Sequence, residues 1–286
     1  MLTERHLEIF LALAEEEHFG AAAQRVGITQ PPLSQGLRRL EALLGVRLFD
    51  RGRGVALTEE GELLLPHART ALAALGELRA AADACEPAGG RRIRLGLAPE
   101  VPIRLVADLG AAPARAGDGS RISVVTAPTA TLLSRIGSGR LDLAVTQHPA
   151  VLDGLSAGPV VLLPTWILSP SGHPAPRHLP VAVRPREEAP AAYDLLVDTL
   201  ASRGRRVETV VVPDERAGLA LVAAGQAVLV TADGTLSADG VERRRAAGPE
   251  LPLRLRVVWG ARAARSPEVV ETARLLTETL SREAAK

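Results

Sequence analysis

Seven positions between Gln30 and Arg39 combine hydrogen-bonding and positively charged side chains with a pair of prolines. Their amide, hydroxyl and guanidinium groups are the groups that contact base edges and phosphates in nucleic acids. Such a role requires that the side chains share one face of one structural element. The residues are Gln30, Pro31, Pro32, Ser34, Gln35, Arg38 and Arg39.

The leucines of the same stretch indicate how these side chains are positioned. Four leucines recur at spacings of four, three and four residues, which places them in one stripe along a helix. They are Leu33, Leu37, Leu40 and Leu44. Thr29 can act as the N-cap, and prolines in a first turn lose no hydrogen bond. Because a short helix over residues 21–26 ends at Gly27, and another is predicted over 3–16, we expect a helix–turn–helix whose second helix buries leucines and exposes polar groups.

A basic hairpin is predicted directly after this helix. Val46 to Leu57 has the pattern of two short strands around Arg51-Gly-Arg-Gly54, and a hairpin beside a helix–turn–helix makes a winged helix. The two tip arginines, Arg51 and Arg53, are either phosphate contacts or solvated turn charges. Between Arg25 and Arg53 six arginines face two carboxylates, although the whole chain carries a net charge of only +1.

A long helix is predicted from Thr58 to about Asp83. Thr58 is a suitable N-cap, and three glutamates in the first turn stabilise the helix because they lie near the positive end of its dipole. Its apolar side is larger than a small winged domain can cover, so pairing with the same helix of a second subunit is expected. Residues 86–90 (Glu-Pro-Ala-Gly-Gly) then predict a hinge.

From Arg91 onward the pattern changes to apolar strands that alternate with helices. This pattern is typical of an α/β fold with parallel sheets covered on both faces, in which ligands bind at the carboxyl ends of strands. The predicted strands are 93–98, 122–127, 141–146, 165–169, 180–184, 207–212, 227–231 and 253–259, and the predicted helices are 101–110, 129–137, 190–203, 215–224 and 267–283.

Several function classes find no support in the sequence. The single cysteine, Cys85, cannot form an internal disulfide, and no His/Cys/Asp set has metal spacing. No Walker loop, GxGxxG or GxSxG motif supports an enzyme on the α/β domain. The chain opens without signal-peptide features and has no bilayer-spanning apolar run, so we expect a cytoplasmic protein without a cofactor, metal or membrane, and not an exported solute-binding protein. Three loop histidines are interpreted as surface residues: His148, His173 and His178.

The residues from Phe10 to Ala68, FLALAEEEHFGAAAQRVGITQPPLSQGLRRLEALLGVRLFDRGRGVALTEEGELLLPHA, resemble the winged helix of LysR-type transcriptional regulators. LLSRIGSGRLDLAV (132–145), APAAYDLL (189–196) and LVAAGQAVLV (221–230) are similar to the effector domain of that family. The resemblance implies a DNA-binding regulator that binds an interrupted palindrome in double-stranded DNA as a homodimer or homotetramer. A small molecule in a C-terminal cleft, of the periplasmic-binding-protein type, would modulate it.

The resemblance also implies a domain organisation. Residues 1–58 would form the winged helix–turn–helix and 59–90 the dimerisation helix and hinge, while 91–286 would form the effector domain. That domain would contain subdomain I, from 91–162 and 253–286, and subdomain II, from 163–252.

The resemblance also implies site residues, at the positions of this chain that match the motifs of the family. The DNA contacts would be the seven positions named above with Arg51 and Arg53, although Arg39 could instead form a surface salt bridge. Gln35, where the family often has a basic residue, and Gly36 depart from the family pattern and predict an altered operator preference. His18 is interpreted as structural. The implied effector contacts are Glu100, Thr129, Thr146, Arg184 and Val230.

Glu100 stands where the family usually offers a hydroxyl to an anionic ligand. A carboxylate there repels anions, which favours a neutral or cationic effector over the usual carboxylate. An effector-independent regulator with a vestigial pocket is the other possibility, because the stretch from Gly172 to Val181 also appears short.

Overall fold

A computed structural model describes residues 1–50, 55–84, 92–115, 121–172, 179–202, 208–246, 251–260 and 266–285. These residues form nine α-helices and twelve strands, which divide into an N-terminal and a C-terminal unit. The predicted hairpin tip with Arg51 and Arg53, Cys85 and the predicted hinge at 86–90 lie outside the described ranges.

The N-terminal unit is a winged helix–turn–helix followed by a long helix, as the sequence predicts. Its two short strands pair antiparallel, with Phe49 opposite Leu57. The elements are α1 (Glu4–Glu16), α2 (Phe19–Val26), α3 (Gln30–Leu44), β1 (Phe49–Asp50), β2 (Ala56–Leu57) and α4 (Glu59–Ala84).

The beginnings of the helices have different capping arrangements. Thr29 precedes α3, but its hydroxyl makes no capping bond. Thr58 caps α4, because its hydroxyl accepts a hydrogen bond from Gly61 N at 3.0 Å and donates one to Arg47 O at 2.7 Å. The ring of His18 accepts hydrogen bonds from Gly20 N and Ala21 N at the start of α2, which is a structural role.

The core of this unit forms where α3 packs on α1 and the wing. Leu33, Leu37 and Leu40 are completely buried, and the rings of Phe10 and Phe49 meet edge to face at 5.8 Å. The fourth leucine of the predicted stripe is different, since Leu44 is 38% exposed. It is the last residue of α3 and lies beyond the end of the core.

Gly36 lies where α3 approaches α1 most closely. A Cβ atom built at this position would overlap Cδ1 of Ile9, which is itself buried. The glycine therefore costs helix propensity, about 1 kcal/mol, but it permits the contact between the two helices. A glycine at position 36 thus fits the packing of α3 on α1.

We expect Gly36→Ala to lower the stability of the N-terminal unit by about 1 kcal/mol, because overpacking costs about 1–3 kcal/mol and outweighs the gain in helix propensity. Ile9→Val removes the opposing Cδ1 and alone should cost about 1 kcal/mol. In the Gly36→Ala background that cost should shrink or reverse. Hydrogen exchange of the α1 and α3 amides measures the stability of the wild type, the two single variants and the double variant. If the effects of the two substitutions are additive, the proposed contact is contradicted.

The C-terminal unit contains two five-stranded sheets. The first sheet has the order β4-β3-β5-β12-β6, and α5 and α9 pack on it. Its elements are β3 (Arg92–Leu97), α5 (Ile103–Arg115), β4 (Arg121–Thr126), α6 (Thr129–Gly137), β5 (Leu143–Gln147), β6 (Ser156–Leu163), β12 (Leu253–Trp259) and α9 (Pro267–Ala284).

The second sheet has the order β11-β7-β10-β8-β9, and α8 packs on it. A short 3₁₀ turn over Arg186–Glu188 precedes α7. The elements are β7 (Trp166–Pro170), β8 (Val181–Val183), α7 (Pro190–Ala201), β9 (Thr209–Val211), α8 (Glu215–Ala223), β10 (Val228–Thr231) and β11 (Val241–Arg245).

The prediction of parallel sheets was wrong for half of the strand pairs. In the first sheet β12 runs antiparallel to both β5 and β6, and in the second β7 runs antiparallel to both β10 and β11. The chain passes from one sheet to the other between β6 and β7 and again between β11 and β12, so the strand that follows each crossing enters its sheet from the opposite end. Both sheets are therefore mixed.

A buried ion pair joins two strands of the first sheet. Arg94 of β3 contacts Asp142, which directly precedes β5: the guanidinium donates to both carboxylate oxygens at 3.2 and 2.9 Å. The carboxylate also accepts from the backbone N of Arg94 at 2.8 Å. Only 16% of the Arg94 side chain and 9% of the Asp142 side chain are exposed.

Candidate nucleic-acid interface and effector cavity

The face of α3 opposite its buried leucines is accessible. The residues predicted to contact DNA on this helix are exposed, except for the half-buried Ser34, whose carbonyl accepts a hydrogen bond from Arg38 Nε at 3.3 Å. The helix thus brings the seven predicted residues to one surface: Gln30, Pro31, Pro32, Ser34, Gln35, Arg38 and Arg39. Exposed amide and guanidinium groups on one face of a helix can reach base edges in a major groove.

Not every arginine of the helix–turn–helix is available for phosphate contacts. Arg25 forms ion pairs with Glu15 and with Glu16, the latter at 2.9 Å, and its side chain is only 19% exposed. Arg39 is exposed, and its charge adds to burial in lowering the pKa of His6. The charge available for phosphate contacts on the described surface of α3 is therefore that of Arg38 and Arg39. Arg51 and Arg53 lie outside the described residues.

The C-terminal unit contains a cavity of about 140 Å³ that residues of both sheets line. The crossing segments contribute Thr165 and Leu251 to the lining, and Thr165 Oγ1 donates a hydrogen bond to Leu251 O at 2.7 Å. Of the five predicted effector contacts, Glu100, Arg184 and Val230 line this cavity.

The other two predicted effector contacts do not belong to the lining. Thr129 is buried, and its hydroxyl accepts a hydrogen bond from Gln147 N at 3.0 Å. Thr146 is also buried, and its hydroxyl donates to Arg256 O at 3.4 Å. Because both hydroxyls bond to the backbone, these residues help to hold Gln147, which does line the cavity.

Arg184 is fixed by acceptors of the protein itself. Its guanidinium donates to Glu188 Oε2 at 2.7 Å and to Pro213 O at 2.6 Å, and its Nε lies 3.5 Å from Glu100 Oε1. Burial raises the pKa of Glu100, and Arg184 opposes that shift. The second oxygen of Glu100, Oε2, is buried and has no hydrogen-bond partner among the described residues.

Glu215 is a second buried carboxylate of the cavity. Its Oε1 accepts a hydrogen bond from Thr231 Oγ1 at 2.7 Å. Burial raises its pKa to about 7, and the negative charges of Asp233 and Glu100 contribute, while the Thr231 bond and Arg184 oppose the shift. Near neutral pH this carboxyl is therefore only partly ionised.

The sequence reasoning missed several charged residues of the cavity. Asp214 and Glu215 follow β9 and begin α8, where the Asp214 side chain accepts from Ala217 N at 2.8 Å. Glu100 was assigned from the family resemblance; the signal that could have found this pair is the position it shares with Glu100, between a strand and a helix. The charged lining residues not predicted are Glu188, Asp214, Glu215 and Arg254.

Within the described ranges no three His, Cys, Asp or Glu side chains are grouped so that they could hold a metal ion. Among the helices that the structure describes, none is both long and apolar enough to cross a bilayer.

A winged helix followed by an α/β unit with an internal cavity is the arrangement of a ligand-controlled DNA-binding protein. The family model described as bacterial regulatory helix-turn-helix protein, lysR family, matches residues 4–62, and the model described as LysR substrate binding domain matches residues 88–281. The chain belongs to the LysR family of DNA-binding transcriptional regulators, and it carries an effector-binding domain.

Individual relatives agree with this assignment. The chain is 42% identical over 170 residues to a probable hydrogen peroxide-inducible genes activator of Mycobacterium xenopi, which covers 59% of this chain and 89% of that protein. It is 34% identical over 226 residues to the transcriptional regulator IlvR of Caulobacter vibrioides, covering 72% and 74%. Full-length CbnR, solved with its target DNA, shares the fold at a TM-score of 0.58 and 20% identity, covering 99% of this chain and all of that chain.

Proposed function

We propose that the chain binds an interrupted palindrome in double-stranded DNA as a dimer or tetramer and that a small molecule in the cavity controls this binding. The relatives, which are named as transcriptional regulators, support a role without catalysis. They also support a site of action in the cytoplasm, where the DNA is. The α/β unit has a real cavity, which supports an effector over an effector-independent regulator.

We assign the DNA contacts to the exposed face of α3, with the wing arginines at phosphates. The observation that carries this assignment is the division of α3 into a completely buried leucine side and an exposed polar side. The proposed contacts are Gln30, Pro31, Pro32, Ser34, Gln35, Arg38, Arg39, Arg51 and Arg53.

We infer that α4 pairs with the α4 of a second subunit. Ala68 and Leu72 pack on the core of the winged domain, but Leu63 and Leu78 are 69% and 67% exposed. Apolar side chains on a long helix favour burial against a partner helix. The proposed organisation is 1–58 for DNA binding, 59–90 for dimerisation and hinge, and 91–286 for the effector, with subdomain II at 163–252.

Genome-wide mapping of binding sites with the tagged protein tests the DNA-binding proposal first, and it should enrich an interrupted palindrome. On the operator so found, we expect Arg38→Ala to weaken binding about tenfold or more at fixed salt. If Arg38 reads a base, the variant should also lose discrimination at one base pair; a phosphate contact should weaken all sequences alike and reduce the salt slope by about 1.

Arg274→Ala is the matched control, because Arg274 is an exposed arginine of α9 that is ion-paired with Glu271. Its operator affinity should equal that of the wild type. Absence of an enriched palindrome, or equal affinity of the two variants, would contradict the assigned interface.

A further inference from the structure

The cavity of the effector domain is lined by more acidic than basic side chains. Four carboxylates line it, whereas only two guanidiniums do. Arg184, one of the two, is already engaged by Glu188 and the carbonyl of Pro213. His148 adds no positive charge near neutral pH, since burial and the charges of Arg256 and Arg254 lower its pKa. An anionic ligand would therefore enter a site that repels it.

Glu100 supplies a hydrogen-bond acceptor that no donor of the described residues contacts. Its Oε2 atom is buried and unpartnered among the described residues, although Arg184 lies beside Oε1. A buried carboxylate oxygen without a hydrogen bond is costly, so a ligand that donates one gains free energy at this position.

Glu215 supplies a second acceptor in the same cavity. Its Oε1 is bonded to Thr231, and it lines the cavity together with Glu100. Burial is the main cause of the raised pKa of Glu215, and the negative charges of Asp233 and Glu100 add to it, so the two carboxylates repel each other. A positive charge between them would relieve that repulsion. Apolar side chains of the same lining offer a surface for a hydrocarbon group: Leu196, Val212, Leu229 and Val230.

We propose that the effector is a small ligand with a protonated amine, which binds at Glu100 and Glu215 and lays an apolar group against Leu229 and Val230. The inference rests on the proposed function, because it names the chemical class of the effector in that same cavity. Charge-assisted hydrogen bonds from an ammonium are the contacts that a buried carboxylate pair accepts best.

Three probes share one carbon skeleton and differ only in the head group, which is an amine, an alcohol or a carboxylate: isopentylamine, isopentanol and isovalerate. Calorimetric titration of the full chain at constant ionic strength measures their dissociation constants. We expect isopentylamine to bind at least about tenfold more tightly than isovalerate, with isopentanol between them. In Glu215→Gln, which keeps an oxygen for Thr231, the affinity for the amine should fall about tenfold.

Glu187→Gln is the control for the substitution, because Glu187 is exposed and does not line the cavity. It should bind the amine like the wild type. If Glu215→Gln fails to fold, Glu100→Gln provides an independent test, because its affinity for the amine should also fall. Tighter binding of isovalerate, no binding of any probe, or full amine affinity in both cavity variants overturns the inference. Operator binding measured on the same samples distinguishes this failure from failure of the proposed function.

Discussion

Asp142→Ala is expected to lower the free energy of unfolding of the C-terminal unit by about 3–5 kcal/mol. The substitution removes every acceptor that the carboxylate offers to Arg94 and leaves a buried guanidinium without its partner, which is the costly way to break a buried pair. The effect should be large because the pair is bidentate and mostly buried, and because the same carboxylate bonds the backbone of β3.

Urea denaturation followed by tryptophan fluorescence measures this change without interference from the DNA-binding unit. The chain has two tryptophans, Trp166 and Trp259, and both lie in the C-terminal unit. Asp194→Ala is the matched control, since Asp194 forms an equally bidentate pair with Arg186 at 2.7 and 2.6 Å that is exposed to water. The urea midpoint of Asp194→Ala should stay close to that of the wild type. Equal losses of stability in Asp142→Ala and Asp194→Ala would refute the role of burial.

Glu215→Gln is expected to stabilise the ligand-free protein at pH 8 by up to about 3 kcal/mol, because it removes the cost of a buried carboxylate. The folded pKa is about 7, raised above the ordinary value of 4.5. Between these two values the folded chain binds more protons than the unfolded chain does. Wild-type stability therefore falls as the pH rises from about 4.5 to 7, and it levels off above that window.

The gain from Glu215→Gln should accordingly be small at pH 5, grow through pH 6 and 7, and be complete by pH 8. The charged groups that face Glu215 are Asp233, Glu100 and Arg184, and they remain in the variant. Urea denaturation at each pH, followed by the same fluorescence, measures the difference. Glu187→Gln, the exposed control, should show no such trend, and a gain in Glu215→Gln that is independent of pH would contradict the raised pKa.

The sequence predicted the helices and central strands because their apolar patterns are periodic. It missed β6 and β11, and both lie at the edge of a sheet. An edge strand is covered less, so it needs no continuous apolar run and tolerates proline. This explains Pro159 within β6 and the polar sequence VERRR of β11.

The candidate site was predicted less completely than the fold. On α3 the buried and exposed sides follow from helical spacing, so the polar face could be predicted, although Leu44 lies beyond the core. In the cavity, Thr129 and Thr146 were expected to face a ligand, but their hydroxyls bond to the backbone instead. Local sequence does not determine which of two neighbouring polar groups turns inward, because that depends on how the two sheets come together.

The close approach of Gly36 to Ile9 has a consequence for the divergence of this regulator. A side chain at position 36 would overlap Cδ1 at the end of the buried Ile9 side chain, so we expect changes at the two positions to be coupled, although one is next to Gln35, a proposed DNA contact, and the other is buried in α1. Related regulators with alanine or a larger residue at position 36 should carry valine or alanine at position 9. If positions 35, 38 and 39 contact the operator as proposed, they can change without a change in the core, whereas position 36 is constrained by its buried partner.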